Sequence, residues 1–301
     1  MRVVVTGAGG QLGSALRRAL TISGAAVIGT GARPAVGVDR VVDVTNADDV
    51  RRAFAAEQPD AVIHAAAYTD VDGCERDPDR AMAVNADGAR HVAEAARAAG
   101  AYLIAVSTDF VFPGDGGAPY AEDAPTGPIS AYGRGKLAGE QAVLAADLGF
   151  AVARTAWLYG GAGKHFPRTV LTVLRDRGGM EVVTDEAGNP TLADDLADAL
   201  VALLDRRGSG IFHLVNEGRV TRYDFARAVA TAAGLAPDLV QPVTTAEFLA
   251  KYPLPAKRPA DSALKNIRAA ALGIRLRPWQ EAVAAFVPFL ATELGVEGGK
   301  V

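Results

Sequence analysis

The 301-residue chain contains a single cysteine, Cys74, so no disulfide can form within it. Chains without disulfides are typical of a reducing compartment, and the sequence therefore predicts a cytoplasmic protein. No uninterrupted apolar run approaches the roughly 18 residues of a membrane-spanning helix, which argues against an integral membrane protein. The chain begins directly with the apolar run RVVVT, so we expect no signal peptide.

An excess of charge of one sign is also absent. The 31 Lys and Arg residues stand against 35 Asp and Glu residues, which gives a net charge of −4. Such a balance creates no strong basic field, so we expect neither nucleic acid nor an anionic membrane as a partner. Aromatic residues make up only 6% of the chain, whereas 50% of it is apolar. This composition favours a globular α/β protein, and the length accommodates two lobes.

Short runs rich in β-branched residues alternate with alanine-rich helical stretches. The runs RVVVT, AVIGT, DAVIHAAA, YLIAVS and AVART are nearly continuous in apolar character, as strands covered on both faces must be. This alternation predicts a Rossmann-type, doubly wound parallel sheet. We expect it to occupy residues 1–155, with a returning segment near 192–216. Residues 156–301 are predicted to form mainly a smaller, interleaved substrate lobe, and the final GVEGGKV to fray.

The first strand is followed by TGAGGQLG, in which Gly7, Gly10 and Gly13 recur every three residues. Between a strand and a helix, this pattern is a variant of the dinucleotide fingerprint. Its glycines permit a tight turn and a close approach of backbone amides to a pyrophosphate, while the helix N-terminus faces the phosphates. We therefore expect the loop to bind a dinucleotide, together with Gln11 and Leu12 at the start of the helix.

The end of the second strand carries no carboxylate of the kind that binds the ribose of NAD. The segment VIGTGARPAVG offers Arg33 instead, which can accommodate the 2′-phosphate of NADP. This predicts NADPH, with NADH as the alternative if Arg33 only decorates a solvated loop. Asp43, beside Val44, is expected at the adenine end. Small residues close the next strand and leave room for a cofactor: Ala65, Ala66 and Ala67. The first lobe is therefore predicted to be an NADP-binding domain.

A set of proton-transferring groups follows further along the chain. Ser107 and Thr108 close a predicted strand, and AYGRGKLAGE places Tyr132 and Lys136 one helical turn apart. A phenol with an ordinary pKa near 10 is a poor base at neutral pH, but a neighbouring ammonium lowers that pKa. We predict that Tyr132 exchanges a proton with a carbonyl substrate while one of the two hydroxyls orients it. Adjacent strand residues point to opposite faces, so we expect only one hydroxyl to face the cofactor.

These segments together resemble the dTDP-4-dehydrorhamnose reductases, a branch of the extended short-chain dehydrogenase/reductase superfamily. TGAGGQLG, AAYTDVDGCE, STDFVF, YGRGKLAGE, RTAWLYG and GNPT come in the family's order and spacing, from residue 1 to about Leu272. Such enzymes reduce the 4-keto group of dTDP-6-deoxy-L-lyxo-4-hexulose to dTDP-L-rhamnose with NADPH, or with NADH in some cases.

The resemblance implies roles for individual residues. It makes Tyr132 the proton donor, Lys136 its partner and a ligand of the nicotinamide ribose, and Thr108 the hydroxyl of the triad. The substrate-binding residues that it implies are Thr108, Asp109, Tyr132, Trp157, Asn189, Thr191 and Arg258. Three alternatives stay open: Trp157 as a core residue between lobes, GNP as an ordinary turn, and Arg258 as a surface charge rather than a ligand of the diphosphate.

Other features follow from the resemblance alone or depart from it. Mg²⁺ and the choice between monomer and homodimer come only from the family, since no acidic cluster here has the spacing of a metal site. Gly135 stands where the family usually has serine or threonine, and a glycine weakens a helix by up to about 1 kcal/mol.

Two other functions remain open at this stage. One is a related sugar-nucleotide ketoreductase or epimerase acting on a different dTDP- or GDP-hexose. The other is a non-catalytic nucleotide-binding subunit, because a branch of the family resembles the regulatory partner of methionine adenosyltransferase. The intact set of Thr108, Tyr132 and Lys136 argues against the second function, since a subunit that only binds needs no proton donor.

Overall fold

The computed structural model describes residues 1–116 and 119–296, so most of the predicted fraying tail lies outside the described residues. Its strands are β1 (Arg2–Thr6), β2 (Ala26–Gly31), β3 (Arg40–Val41), β4 (Ala61–His64), β5 (Tyr102–Thr108), β6 (Ala151–Thr155), β7 (Leu158–Tyr159), β8 (Met180–Val183), β9 (Ala187–Gly188), β10 (Thr191–Leu192), β11 (Gly210–His213), β12 (Val220–Thr221) and β13 (Val240–Val243). Its helices are α1 (Gln11–Ile22), α2 (Ala47–Glu57), α3 (Val71–Arg76), α4 (Pro78–Met82), α5 (Gly88–Ala98), α6 (Ala131–Ala146), α7 (Phe166–Arg177), α8 (Ala193–Arg206), α9 (Arg222–Ala232), α10 (Thr245–Lys251), α11 (Ile267–Ala271) and α12 (Trp279–Glu293).

Seven of these strands form one parallel sheet in the order β11-β6-β5-β4-β1-β2-β3. The order reverses direction at β1, which therefore lies at the switch point where ligands bind in doubly wound sheets. This arrangement confirms the predicted Rossmann-type α/β fold. The strand β11, which comes late in the chain, pairs with β6 at the edge of the sheet.

Each face of the sheet is covered by helices, and this explains the apolar strands. Val3 and Val5 of β1 belong to the core that α1 and α8 form on one face. Val4 points the opposite way, into the core that α2 and α5 form on the other face. Because both faces are dry, alternate residues of the strand are equally buried, and the sequence shows an apolar run instead of an alternating pattern.

A further hydrophobic core lies outside the central sheet. Helices α7, α9 and α12 pack there around Leu171, Phe225 and Val287, all of which are buried. Three two-stranded ladders accompany them: β7 with β10, β8 with β13, and β9 with β12. Within the described ranges, no helix combines the length and apolar character needed to cross a membrane.

One helical stretch of the chain is irregular. A π-helical turn over Ala83–Asp87 lies between α4 and α5. Asn85 in that turn accepts a hydrogen bond from the backbone N–H of Tyr68 at 2.8 Å and donates one to its carbonyl at 3.0 Å. The wider turn thus fixes the chain that follows β4, consistent with the frequent occurrence of π-turns at functional sites.

Candidate active site

The carboxyl ends of β1, β2, β4, β5 and β6 open into a cavity of about 1130 Å³, called the main cavity below. The predicted cofactor residues that line it are Gly7, Gly10, Gln11, Leu12, Gly13, Arg33, Asp43, Val44, Ala65, Ala66, Ala67, Tyr132 and Lys136. The predicted catalytic and substrate residues that line it are Thr108, Asp109, Tyr132, Lys136, Trp157 and Arg258. The two expected sites therefore share one cavity.

The glycine loop has the shape that a pyrophosphate requires. Gly7 has a φ of +69°, which favours glycine. A Cβ atom on Gly13 would lie 2.2 Å from the carbonyl oxygen of Gly7, so no larger residue fits without moving the backbone. Gly10 is the N-cap of α1 and provides no side-chain cap. The first N–H groups of the helix consequently remain available for phosphate oxygens.

Three buried hydroxyls in the lining have no hydrogen-bond partner among the described residues: those of Thr30, Ser107 and Thr155. Buried hydroxyls are usually hydrogen-bonded, so this set calls for polar groups of a ligand. A dinucleotide laid across the ends of the strands would bring such groups. The loop and these hydroxyls together fit a dinucleotide such as NADP(H).

The charge of the main cavity is opposite to that of the whole chain. Its lining contains six basic residues: Arg33, Arg80, Lys136, Lys164, Arg222 and Arg258. Only two acidic residues join them, Asp43 and Asp109. Since the chain carries a net charge of −4, this local excess of positive charge favours ligands with several phosphate groups.

Arg33 and Asp43 lie at the end of the main cavity where the adenine is predicted. Arg33 is exposed and forms no ion pair within residues 1–116 and 119–296. Asp43 uses one carboxylate oxygen to accept hydrogen bonds from the backbone N–H and the hydroxyl of Thr45, at 2.9 and 2.8 Å. Asp43 therefore shapes the turn after β3, while Arg33 is free to meet a phosphate.

Helix α6 carries the phenol and the ammonium on one face. Its N-cap is Ser130, whose hydroxyl accepts a hydrogen bond from Gly133 N–H at 3.2 Å. Glu75 accepts a second one from Ala131 N–H at 2.8 Å, which adds a negative charge at the N-terminus of the helix. The Lys136 ammonium donates to the carbonyl of Val106 at 2.7 Å.

Gly135, the departure from the family pattern, lies where α6 approaches another segment. A Cβ atom there would lie 3.1 Å from the carbonyl oxygen of Ala81, tighter than most such contacts. The glycine therefore permits the close packing of α6 against α4.

The expected lowering of the Tyr132 pKa is not found. Burial raises the pKa of Tyr132 above its ordinary value, and the nearby Asp109 and Cys74 add to this, although a hydrogen bond with Thr108 opposes it. Burial also lowers the pKa of Lys136 to about 8. Desolvation thus dominates both groups. The phenol stays protonated at neutral pH, which is the state that an acid must have to give a proton to a ketone.

Thr108 is the hydroxyl that acts to lower the pKa of the Tyr132 phenol. It donates to Asp109 Oδ1 at 3.0 Å and accepts from Phe110 N–H at 3.2 Å. Ser107 is also among the lining residues of the main cavity, but its hydroxyl is buried. That only one of the two hydroxyls faces the cofactor stays a prediction.

Trp157 adopts a backbone conformation that is unusual for a residue other than glycine. Its φ is +44°, and such strain costs on the order of 1–3 kcal/mol and concentrates at functional sites. The Arg222 guanidinium carbon lies 3.8 Å from the centroid of the indole ring. A Cβ atom on Gly188 would approach the indole to 2.6 Å, so a larger residue there would displace the ring.

Asn189 and Thr191 do not reach the main cavity. Asn189 donates to the carbonyl of Gly218 at 2.9 Å and accepts from Leu264 N–H at 2.7 Å. Thr191 donates its hydroxyl proton to the carbonyl of Asn189, and its N–H bonds to the carbonyl of Trp157 at 3.3 Å. The polar groups of the GNPT motif therefore stabilise the backbone beside Trp157. Neither side chain lines the cavity where a ligand would bind.

Arg258 is half-buried and faces the main cavity, where it forms an ion pair with Asp72 at 2.8 Å. No group of three or more His, Cys, Asp or Glu residues in the described part of the chain is arranged to hold a metal ion. The structure thus provides no support for Mg²⁺.

Several lining residues have no signal in the sequence. Arg222 and Lys164 belong to no motif, and the backbone carbonyl of Lys164 reaches the glycine loop by accepting a hydrogen bond from the Gln11 amide at 3.0 Å. The only hint is their charge, which is common on any surface. They become recognisable only when folding brings them beside the loop.

Comparison with known proteins gives a consistent result. A family model described as the RmlD substrate binding domain matches residues 1–291. A dTDP-4-dehydrorhamnose reductase from Mycobacterium tuberculosis is 43% identical to the chain, with 98% of this chain and 95% of that protein aligned. The Escherichia coli protein of the same name is 37% identical over 88% of this chain and 90% of its own length.

A solved structure adds information on a cofactor. The crystal structure of dTDP-4-dehydrorhamnose reductase from Bacillus anthracis in complex with NADP superposes with a TM-score of 0.87. It is 34% identical and covers 95% of this chain and 98% of that one. These likenesses confirm the resemblance that the sequence motifs carry.

Proposed function

The chain belongs to the RmlD substrate binding domain family, and on this premise we propose that it reduces the 4-keto group of dTDP-4-dehydrorhamnose, giving dTDP-L-rhamnose, with hydride from NADPH. The observation that carries the proposal is the position of Thr108, Tyr132 and Lys136 in the same cavity as the glycine loop. A proton donor beside a dinucleotide site is what ketone reduction needs.

Reduction of a ketone adds a hydride to carbon and a proton to oxygen. Bound NADPH supplies the hydride. We assign the proton to Tyr132, whose phenol is protonated at neutral pH because burial raises its pKa. We assign to the Thr108 hydroxyl, whose proton is donated to Asp109 Oδ1 in the structure, the role of turning that proton to the same substrate oxygen. Lys136, anchored to the carbonyl of Val106, keeps a positive charge near the site below about pH 8.

The remaining lining suits a nucleotide sugar. Trp157 offers an aromatic face to the sugar, and Arg258 with the other basic residues offers charge to the diphosphate. Asn189 and Thr191 contribute indirectly by supporting the backbone of Trp157. We also propose the division expected from the sequence, with residues 1–155 and a returning segment near 192–216 binding NADPH and residues from 156 onward binding mainly the substrate.

Purified protein mixed with NADPH and dTDP-4-dehydrorhamnose tests the proposal. We expect NADPH absorbance to fall only when the keto sugar is present, and dTDP-L-rhamnose to accumulate in equal amount. Other dTDP- and GDP-linked 4-keto-6-deoxyhexoses, assayed in parallel, should give lower kcat/KM values. The proposal is wrong if none of these sugars oxidises NADPH, and the substrate assignment is wrong if a different sugar is clearly preferred.

A further inference from the structure

A chain of hydrogen bonds links Thr108, beside the Tyr132 phenol, to a serine that is far away in the sequence. The Thr108 hydroxyl, which acts to lower the pKa of Tyr132, donates to Oδ1 of Asp109. The second carboxylate oxygen of Asp109, Oδ2, accepts the hydroxyl proton of Ser262, 153 residues further along. Both oxygens of the carboxylate are thus occupied by hydroxyl donors on opposite sides.

All three residues of this hydrogen-bonded chain are buried. Thr108 is 6% exposed, Asp109 2% and Ser262 1%. A hydrogen bond to a buried carboxylate is stronger than one at the surface, and losing its donor leaves an acceptor that water cannot easily satisfy. The Ser262 hydroxyl therefore has a large effect on the position and charge of Asp109.

The backbone around Ser262 is fixed from two sides. Ser262 N–H donates to the carbonyl of Ala187 at 3.0 Å, and Asp261 N–H donates to the carbonyl of Gly114 at 3.1 Å. The Ser262 hydroxyl therefore has little freedom to leave Asp109. Four residues earlier, the same segment places Arg258 in the main cavity.

We propose that Ser262 is a positioning residue for the reduction: it holds the Asp109 carboxylate so that Asp109 keeps the Thr108 hydroxyl aligned with the phenol of Tyr132. Ser262 does not line the main cavity and touches none of the reacting atoms. The inference rests on the proposed function, and it assigns to the C-terminal segment a role in aligning the proton donor.

The hydrogen bond from Ser262 should have a measurable effect on the pKa of Asp109. Burial raises the pKa of Asp109 to about 6, whereas the hydrogen bonds from Ser262 and Thr108 and the charge of Arg222 on α9 act to lower it. Tyr132 on α6 is the other titratable group that faces the carboxylate. Removal of the Ser262 hydroxyl should move the pKa of Asp109 further upward, so that the carboxylate becomes protonated at a higher pH.

Ser262→Ala tests the proposal, with Thr184→Ala as the control. The Thr184 hydroxyl also donates its proton to one acceptor, in this case the backbone carbonyl of Val243, and Thr184 lies outside the main cavity. We expect S262A to lower kcat about ten- to hundredfold, the usual effect of a lost hydrogen bond to a charged group, while KM for NADPH changes by less than about twofold. The acid limb of its kcat–pH profile should move to higher pH. Ser262→Thr, which keeps the hydroxyl, should restore both values.

A double-mutant cycle with Asp109→Asn separates alignment from general loosening of the fold. If Ser262 acts through Asp109, S262A should cause no further loss of kcat in the D109N background. If S262A lowers kcat as much in the D109N background as it does in the wild-type protein, the proposal is wrong. It is also wrong if the kcat of S262A equals that of T184A, or if the acid limb stays where it is in the wild-type protein.

A measurement independent of turnover distinguishes this inference from the proposed function. In protein labelled with ¹³C at the aspartate carboxyl groups, the resonance absent from D109N identifies Asp109. Its titration midpoint should be higher in S262A than in the wild type. An unchanged midpoint refutes the contact even if the enzyme is active. A wild-type protein that reduces no keto sugar would refute the proposed function, while the titration would still decide whether Ser262 holds Asp109.

Discussion

At the residue scale, we expect the proposed preference for NADPH to depend on Arg33. Replacing it with alanine removes a guanidinium that is exposed at the adenine end of the main cavity. We expect kcat/KM for NADPH to fall about tenfold or more, the effect of losing one charge-assisted contact to a phosphate, while kcat/KM for NADH barely changes. Steady-state kinetics with both cofactors gives the ratio.

The matched control is Arg52→Ala. Arg52 is an exposed arginine on α2 that pairs with Asp49 outside the main cavity, so its loss should leave both values unchanged. If kcat/KM falls equally for NADPH and NADH in Arg33→Ala, Arg33 does not bind the 2′-phosphate.

Lys136 should give the reaction an alkaline limit. Burial lowers the pKa of this ammonium to about 8 from an ordinary 10.5, and the Glu140 carboxylate only partly opposes the shift. Below this pKa the group is charged, and above it the charge is lost, so kcat/KM should fall as the pH rises through about 8. The pH profile of Lys136→Arg should lack this limb, because an arginine does not lose its proton in this range. If the fall of kcat/KM near pH 8 persists in Lys136→Arg, a group other than Lys136 causes it.

Whether a site residue could be predicted depends on how far away its partners lie in the sequence. Gly7, Tyr132 and Lys136 were predictable because a loop or a single helical turn creates their arrangement. Ser262 was not, since its hydroxyl matters only beside a carboxylate 153 residues away. The expected lowering of the Tyr132 pKa was wrong because residue spacing does not reveal burial, which raises this pKa.

At the element scale, the start of α6 depends on a carboxylate from α3. Glu75 accepts a hydrogen bond from Ala131 N–H, the residue before Tyr132, and lies beside Arg134 at 3.5 Å. Glu75→Ala should lower the free energy of unfolding by about 1–2 kcal/mol, the typical cost of losing a helix cap. Denaturant titration measures this change.

Glu94→Ala provides the comparison for that titration. Glu94 pairs with Arg90 at the surface of α5, and such exposed pairs contribute less than about 1 kcal/mol. If the two variants lose equal stability, Glu75 does not cap α6.

The elements that were predicted share a strong local pattern. The buried strands of the central sheet appear as apolar runs because both of their faces are covered, and α1, α2, α6 and α8 appear as alanine-rich stretches. The two-residue strands β7, β9, β10 and β12 have no such pattern, since they form only where distant backbone meets. The π-turn at Ala83–Asp87 was missed because its cause, the contact between Asn85 and Tyr68, is tertiary.

At the scale of the whole molecule, buried histidines should set the acid limit of stability. Burial lowers the pKa of His64 and His213 to about 3 and that of His165 to about 4, from an ordinary 6.5. Between these values the unfolded chain binds protons that the folded protein does not. The free energy of unfolding should therefore fall as the pH decreases from 6.5 towards 4, by a few kcal/mol at most for each histidine.

Urea titrations across this range test the prediction. Asp109 and Asp198 act in the opposite direction, because their raised pKa values mean that the folded protein takes up protons first, but they are two groups against three histidines. The slope of stability against pH should be smaller in the double variant His64→Gln, His213→Gln. An unchanged slope would mean that these histidines are not the groups that limit stability in acid.

The central claim is that the protonated phenol of Tyr132 on α6 donates its proton to a ketone bound beside a dinucleotide. Tyr132→Phe tests it most directly, with Tyr159→Phe as the control, since the Tyr159 hydroxyl is buried without a hydrogen-bond partner among the described residues and lies outside the main cavity. For Tyr132→Phe we predict that kcat for dTDP-4-dehydrorhamnose falls about 10²- to 10⁴-fold while the Kd of NADPH stays within about twofold of the wild-type value. A Tyr132→Phe protein that turns over as fast as Tyr159→Phe would contradict the account.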